Sequence, residues 1–521
     1  MKINKIYIPF YIFTILGIGV FIGSSISHSF RNTSNRHKNK INKLIDFIDH
    51  EYVDNVNTDS IVDHTVTGIL SQLDPHSVYL NKEDLNSETE SMNGSFVGIG
   101  VNFYMYKDSL AVIKPVKNGP ADKAKIMAGD RILYADNHKL FGKNRASSDL
   151  FSILRGAENS KVKLTIYRKS NQKTYRVNLT RNSIPIKSVL FYKMIDEKIG
   201  YIKIDRFSSQ TYEEFKKGLD YLLKKNMKEL IIDVRDNGGG FMDQAINIAD
   251  EFLKEGDLIV KTKNKKNIKE ESIARAGGSF EKGKIYVLIN ENSASASEML
   301  AGAIQDNDRG MVVGRRSFGK GLVQHEKQLG DGTAVRLTVA KYYTPSGRSI
   351  QKPYLDKKDA YFDAFKSRFE NGELFAKDSI KIADSLKFKT KKGRVVYGGG
   401  GIVPDVFVPI QNSKENAHLD MLLQSGLSSY FVFENIDQNR NFYNKLKSKD
   451  LTDDLIEKKL LDFQKYIQEN GLTLQLNENK KNIIYYLKAE FARQLFSDEM
   501  YYDILLQHDS MVLEVMKLKE K

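Results

Sequence analysis

Cysteine is absent from the 521 residues of the chain. Its absence excludes a thiol nucleophile, thiolate-bound zinc, an iron–sulfur cluster and any disulfide, although it does not identify the compartment. Histidine is scarce, with nine residues, and most of them lie in the outer segments. A hydrolytic site in the middle of the chain therefore has few imidazoles available as a general base.

The overall composition is that of an ordinary globular protein. Apolar residues make up 41% and charged residues 28%, which excludes a wholly disordered chain. The length corresponds to about three or four domains, at roughly 100–200 residues each. Lys and Arg number 80 against 66 Asp and Glu, a net charge of +14. Because the lysines are scattered through most segments, we interpret the excess as a solvated basic surface and predict no nucleic-acid partner.

Residues 1–29 contain an apolar run, from 6 to 23, of eighteen residues without a charge. This length is just sufficient to cross a bilayer, so we predict a membrane anchor. A cleaved signal peptide, with Ser25 to Ser27 as a poor cleavage site, and a buried core helix are the alternatives. Basic residues at positions 31–43 favour a cytoplasmic body, whereas a short basic amino tail is typical of export. The charge pattern alone does not determine the orientation.

The rest of the chain shows four further patterns. Residues 30–92 read as a polar linker followed by a helical segment, and residues 93–182 as a small β-rich module of short strands. Residues 183–410 alternate strand-like and amphipathic runs, which is typical of an α/β layer, with a polar, helix-prone insertion at 356–390. Residues 411–521 carry an almost entirely helical pattern.

The densest chemical signal is the segment ENSASASEMLAGAIQ, which directly follows the apolar run KIYVLIN. Its apolar spacing predicts a helix that begins near Ser295. A serine at the start of a helix has free backbone N–H groups beside it, and these stabilise a developing oxyanion. The alternative is structural, because Ser295 and Glu298 also have the spacing of a capping box.

A serine nucleophile needs a base, and two candidates follow Ser295 in the chain. His325 is the only histidine in the next stretch, and Lys320 lies between two glycines in FGKGLVQH. A lysine acts as a base only if burial brings its pKa well below about 10.4. The residues alone leave both candidates open.

Two glycine-rich segments complete the pattern. DVRDNGGG closes an apolar strand-like run, where exposed amides can converge on a ligand or simply form a tight turn. Gly98 and Gly100 precede a strand of the β-rich module. Such a loop can receive the terminal carboxylate of a peptide that is added to the strand edge, although this signal is weak by itself.

Taken together, these segments resemble the carboxy-terminal processing peptidases, which are tail-specific serine proteases with a serine–lysine dyad and a PDZ domain. The similarity extends from about residue 41 to 410. The motifs that carry it follow in the family's order: LDPHSVYL, GSFVGIGV, GPADKAKIMAGDRIL, DVRDNGGG, NENSASASE, AGAIQD, GRRSFGKGLVQ, YYTPSGRSIQ and GGGIVPD. The resemblance implies an α/β protease core at 183–410 with an inserted β-rich PDZ domain at 93–182.

The resemblance also assigns the site. It makes Ser295 the nucleophile, Lys320 the general base and Gln324 the residue that orients the lysine, with the backbone amides of Gly239 and Ala296 as the oxyanion hole. In an extended segment, residues four apart are separated by about 13 Å, so the role of Gln324 requires a bend.

The tail-binding loop implied by the resemblance comprises Gly98, Ile99, Gly100 and Val101. The implied function is an endopeptidase that binds protein substrates by their C-terminal tails, needs no metal or nucleotide, and works outside the cytoplasm on a membrane tether. Two alternatives remain: a PDZ scaffold that binds tails without cutting, and a Ser–His hydrolase that uses His325. The sequence leaves open whether the chain forms a homo-oligomer.

Overall fold

The structure is a computed structural model. It describes Thr14 and residues 39–142, 147–354, 361–410, 422, 425–472 and 479–519. The predicted membrane segment, residues 6–23, lies outside this part of the chain apart from Thr14. Within the described ranges, no helix has the length and apolar character needed to cross a membrane.

The chain divides into two compact units, of which the first comprises residues 1–80 and 326–337. Its elements include α1 (residues 39–51), α2 (Thr58–Ser71) and β1 (Val78–Leu80). The turn between α2 and β1 is closed by Asp74, whose carboxylate accepts the Ser77 hydroxyl at 2.6 Å and the Ser77 N–H at 3.0 Å. The motif LDPHSVYL therefore ends the helical segment in a side-chain-capped turn.

The second unit begins with α3 (Lys82–Asn93) and a β module that has its own apolar core. The strands are β2 (Ser95–Gly98), β3 (Val101–Tyr106), β4 (Ser109–Pro115), β5 (Asp130–Ala135), β6 (His138–Lys139), β7 (Lys161–Arg168), β8 (Lys173–Thr180) and β9 (Asn182–Pro185). The main antiparallel sheet has the order β3-β4-β5-β7-β8, while β2 pairs with β9. Helices α4 (Pro120–Lys123) and α5 (Ser147–Leu154) flank it.

The α/β core follows directly. Its elements are β10 (Val189–Met194), β11 (Ile199–Ile204), α6 (Thr211–Lys224), β12 (Glu229–Asp233), α7 (Met242–Asp250), β13 (Leu258–Asn264), β14 (Lys269–Ile273), β15 (Lys284–Ile289), α8 (Ala296–Asp306), β16 (Met311–Gly314), and the parts of β17 (Leu322–Gln328) and β18 (Ala334–Tyr343) that lie outside residues 326–337. The strands β10-β11-β12-β15-β16 form a sheet in that order, and β11, β12, β15 and β16 run parallel.

The sheet topology explains why distant motifs meet. Strands β12 and β15 are parallel neighbours, with Asp233 beside Leu288 at their carboxyl ends. The DVRDNGGG turn follows β12, and the serine turn follows β15. Both turns therefore lie at the carboxyl ends of the parallel strands, where ligands bind in open α/β sheets.

The predicted insertion at 356–390 is less helical than its composition suggests. In its described part, α9 (Ala364–Glu370) ends before Gly372, which has φ +80°, and β19 (Lys387–Lys389) pairs with β20 (Val395–Tyr397). Short β21 (Val406–Phe407) then joins the core sheet beside β16. Arg368 is 5% exposed and donates to the carbonyls of Arg316 and Ser317 at 2.9 Å, so α9 packs against the core.

The C-terminal region is helical, as predicted, and has an apolar core of its own. Its helices are α10 (Leu427–Gln438), α11 (Arg440–Tyr443), α12 (Asp453–Glu457), α13 (Leu460–Glu469), α14 (Lys480–Leu495), α15 (Asp498–Leu506) and α16 (Ser510–Lys519). Met511, Val512 and Val515 of α16 pack against Tyr201 and Leu288, on the face of the core sheet opposite α6–α8. The region thus covers one face of the sheet.

We predict that Arg348→Met destabilises the protein strongly. Arg348 and Asp306 form an ion pair at 2.7 Å in which both side chains are 0% exposed. Removing one partner leaves a buried charge uncompensated, at a cost of about 3–5 kcal/mol. Urea denaturation followed by circular dichroism measures the loss. The exposed i,i+4 partner Lys217 provides the control, since Lys217→Met is expected to change stability little. Equal effects of the two variants would contradict this account.

Candidate active site

The three serines of the SASAS turn differ in what they contact. Ser293 is 0% exposed and donates its hydroxyl to the Val234 carbonyl at 2.8 Å. Ser297 is 0% exposed and donates to the Asn237 carbonyl at 2.9 Å. Ser295 is only partly buried. Among the three hydroxyls, that of Ser295 is therefore the one a substrate can reach.

Ser295 adopts an uncommon backbone conformation, with φ +56° and ψ −113°. A non-glycine residue in such a region carries a strain of about 1–3 kcal/mol, and surrounding contacts must maintain it. The backbone of Gly239 approaches closely, since a Cβ there would lie 2.8 Å from the Ser295 Cβ. Glycine at 239, with φ +103°, is what lets the two turns meet.

Glu298 connects the serine turn to the lysine loop. Its carboxylate is 0% exposed and accepts hydrogen bonds from three backbone N–H groups: Ser295 at 2.9 Å, Gly319 at 2.7 Å and Lys320 at 2.8 Å. It also accepts the Ser317 hydroxyl at 2.5 Å. Burial raises the pKa of the Glu298 carboxyl, and these hydrogen bonds act in the opposite direction.

Lys320 lies in the loop before β17, because the strand begins at Leu322. Its ammonium Nζ donates to the Gln324 Oε1 at 2.8 Å, so the two side chains meet although they are four positions apart. The buried Tyr342 hydroxyl lies 2.9 Å from both the Ser295 and the Lys320 carbonyl oxygens. His325 is exposed. The two candidate bases therefore differ in environment, because the Lys320 ammonium is bound by Gln324 whereas the His325 side chain is exposed to solvent.

The two amides predicted to form the oxyanion hole have different environments. The Ala296 N–H is the first of α8 and has no intrahelical acceptor. The Gly239 N–H donates to the Asn237 Oδ1 at 2.8 Å within its own turn. Asn237, which is 0% exposed, also accepts the Ala294 N–H on its carbonyl at 3.0 Å. Asn237 therefore joins the glycine turn to the serine turn.

A second lysine, Lys352, contacts the loop that carries Lys320. The Lys352 backbone N–H donates to the Gly319 carbonyl at 3.0 Å. Its ammonium lies 3.7 Å from the Phe318 ring centroid and 4.1 Å from that of Tyr361, and donates to the Tyr361 carbonyl at 2.8 Å. Burial, aided by the nearby Arg368 guanidinium, lowers the pKa of Lys352 to about 7.

The predicted tail loop is held in the β module by backbone hydrogen bonds. The Ile99 carbonyl accepts the Ala121 N–H at 2.9 Å, and the Gly100 carbonyl accepts the Val116 N–H at 2.9 Å. Gly100 has φ +71°, which turns the chain from β2 into β3, where Val101 begins. Gly98 ends β2. The loop residues lie together at the start of the edge strand β3.

Three residues of the site were not singled out for these roles from the sequence: Glu298, Asn237 and Tyr342. Glu298 was visible only as the third residue of a capping box, and its link to the lysine loop depends on tertiary contacts. Asn237 stood inside DVRDNGGG without an assigned role. Tyr342 had no local signal, because its two partners lie 47 and 22 residues away in the chain.

The fold and the site define the class of protein. The profile of Peptidase family S41 matches residues 198–357, and that of the PDZ domain matches residues 97–179. The molecule is a serine-type peptidase with a PDZ domain. The profile of the Activating protease CtpB N-terminal domain matches residues 24–84, and a family of unknown function matches residues 418–497.

The chain belongs to the carboxy-terminal-processing proteases, which confirms the resemblance. It is 33% identical over 344 residues to the carboxy-terminal-processing protease of Bartonella bacilliformis, covering 64% of this chain and 78% of that protein. It is 30% identical over 443 residues to a probable CtpA-like serine protease of Staphylococcus aureus strain N315, covering 84% and 85%. A photosystem II D1 C-terminal processing protease of known structure is 25% identical over 70% of this chain and 85% of that one, with a TM-score of 0.37.

We predict that Glu298→Gln abolishes most activity. An amide places an N–H₂ group against two of the donors that now point at the carboxylate, and each buried donor left without an acceptor costs about 1–3 kcal/mol. The variant is compared with Glu291→Gln, since Glu291 is a buried glutamate of the same turn that pairs with Arg315 at 2.7 Å. Proteolysis per folded molecule, with folding checked by circular dichroism, should fall far more in Glu298→Gln. Equal losses of activity in the two variants would show that the contacts of Glu298 with the serine turn and the lysine loop have no special role in catalysis.

We predict that Lys352→Met stabilises the protein most at low pH. The folded-state pKa is about 7, against 10.5 for a free lysine, so the folded chain binds fewer protons between these values and its stability rises with pH there. Below pH 7 the full cost of burying the charge is present. The difference in melting temperature between variant and parent should therefore be more favourable at pH 6 than at pH 9. Exposed Lys327→Met is the control, and a difference independent of pH would refute the prediction.

Proposed function

We propose that the protein cleaves protein substrates near their C-termini by a serine–lysine mechanism. The observation that carries the proposal is the shared anchor at Glu298, which binds the backbone of both Ser295 and Lys320 and so brings the only accessible serine of the turn beside the lysine loop. Gln324 binds the lysine ammonium at 2.8 Å and orients it.

The reaction follows the order of an acyl-enzyme mechanism. Neutral Lys320 accepts the hydroxyl proton as the Ser295 Oγ attacks the scissile carbonyl carbon, and the lysine then donates this proton to the leaving amine. The Ala296 N–H stabilises the oxyanion from the start of α8. Lys320 next removes a proton from water as the water oxygen attacks the ester carbonyl carbon, and it returns this proton to the Ser295 Oγ when the bond to the acyl group breaks. The Gly239 N–H serves as the second donor once its bond to Asn237 Oδ1 is exchanged for the oxyanion.

The PDZ domain binds the substrate tail in this proposal. The loop Gly98–Val101 receives the terminal carboxylate, and the tail is added as a strand to the free edge of β3. The apolar run at 6–23 tethers the body to a membrane, and the body works in an extracytoplasmic space. The family resemblance supports this location, because the charges that flank residues 6–23 leave the orientation open.

A Ser–His hydrolase is the second candidate, and it has less structural support. His325 is exposed, and no hydrogen bond between its ring and a described residue is found, whereas the Lys320 ammonium is held by Gln324. An imidazole base normally has a third group that orients it.

We predict that Ser295→Ala and Lys320→Ala each reduce cleavage by at least about a thousandfold, whereas His325→Ala retains activity. The measurement is proteolysis of an unstructured protein with an apolar C-terminal tail by the purified full chain, across pH and with EDTA in parallel. Parent activity should rise with pH as Lys320 loses its proton, and EDTA should have no effect. Loss of activity in His325→Ala with retention in Lys320→Ala would refute the dyad and leave the enzyme class intact.

A further inference from the structure

The edge strand of the PDZ domain is open on one side. In the described part of the module, β3 pairs only with β4, so its other edge is available to an added strand. Helix α5 lies beside this edge, and the rings of Phe103 and Phe151 are 5.1 Å apart. An added tail therefore lies between β3 and α5.

The two faces of β3 meet different surroundings. Val101, Phe103 and Met105 pack against the apolar core of the PDZ domain. Tyr104 points the other way, where its ring stacks on Tyr430 of the C-terminal region at 4.1 Å. Side chains alternate along any strand, and the same alternation applies to a tail paired with β3.

A cleft of about 340 Å³ runs along this edge, and both regions line it. The PDZ domain contributes Phe103, Phe151 and Lys114, and the C-terminal helices contribute Arg493, Gln494 and Asp498. The side of the strand that would face solvent in a PDZ domain alone therefore faces a polar wall here.

The wall is attached firmly to the PDZ domain. Lys114 donates to the Asp498 carboxylate at 2.8 Å and to the Arg493 carbonyl at 3.3 Å. Further from the cleft, Arg131 pairs with Asp437 at 2.7 Å, with side chains 11% and 2% exposed. These contacts place the wall beside β3.

The charged side chains that line the cleft are unequally accessible. The Arg493 side chain is 37% exposed and pairs with Glu490 at 2.8 Å, and the Lys114 side chain of the PDZ domain is 27% exposed and pairs with Asp498. The Asp498 side chain is 57% exposed, so its carboxylate retains room for a second cation. A carboxylate has two oxygens and can accept from two donors at once.

We infer that the C-terminal helical region completes the tail-binding groove and selects a basic side chain at the penultimate position of the tail, through Asp498. This rests on the proposed tail recognition. If the last side chain enters the apolar side formed by Phe103 and Phe151, alternation turns the penultimate side chain toward the wall. The substrate class is therefore a protein whose C-terminus ends in a basic residue followed by an apolar one.

The test uses the full chain with Ser295→Ala, which keeps bound tails intact. Fluorescein-labelled decapeptides ending in Lys-Val, Ala-Val or Glu-Val are titrated by fluorescence anisotropy, together with a Lys-Val peptide whose terminus is amidated. We expect the Lys-Val tail to bind about three- to tenfold more tightly than the Glu-Val tail, as for a partly exposed ion pair. Asp498→Asn should remove this preference, and Asp498→Glu should retain it.

The matched control is Glu499→Gln. Glu499 lies in the same turn of α15, is 59% exposed, and does not line the cleft. Its replacement should leave the Lys-Val preference unchanged. Equal binding of the three free-acid tails, or a preference that survives Asp498→Asn, would overturn the inference while tail recognition stands. Equal binding of free-acid and amidated tails, or no binding, would contradict the proposed tail recognition. It would also contradict the selection of a basic side chain by Asp498, which depends on that recognition.

Discussion

The buried carboxylate of Glu298 is the interaction on which the rest of the site depends. Withdrawing a carboxylate from water costs several kcal/mol, and this cost is offset only if its oxygens are satisfied. Four donors satisfy them, from the serine turn and from residues 317–320. Because both segments bind the same carboxylate, the turn that carries Ser295 and the loop that carries Lys320 are positioned together.

The strained backbone conformation of Ser295 is maintained by the groups that surround it. Ser295 holds φ +56° because its N–H is bound by Glu298, its carbonyl by Tyr342, and its Cβ is approached by a residue that has no side chain, Gly239. The same Tyr342 hydroxyl reaches the Lys320 carbonyl. The conformation that exposes the hydroxyl is therefore maintained by groups from three separate segments, which is typical of strained residues at functional sites.

The C-terminal region connects these parts of the molecule. Helix α16 packs on the core sheet, and Asp509 at its start pairs with Arg235 of the DVRDNGGG turn at 2.8 Å. Helix α10 packs on the PDZ domain through Tyr430 and Asp437. A region that contacts both the turn carrying Gly239 and the strand that would bind a tail can influence both steps of the proposed reaction.

The sequence by itself determined the order of the domains and the buried strands of the core, because these depend on local apolar patterns, and its motifs pointed to Ser295 and Lys320 through the family resemblance that they carry. Its residues left Ser295 between capping and catalysis, and its composition presented residues 356–390 as a polar, helix-prone insertion. Only the tertiary structure shows that Ser293 and Ser297 are buried, that two segments converge on Glu298 and that Arg368 packs against the core, since these contacts join residues that are distant in the chain. The polar wall beside β3 likewise has no signal in the sequence, because its residues meet the PDZ domain only after both regions have folded.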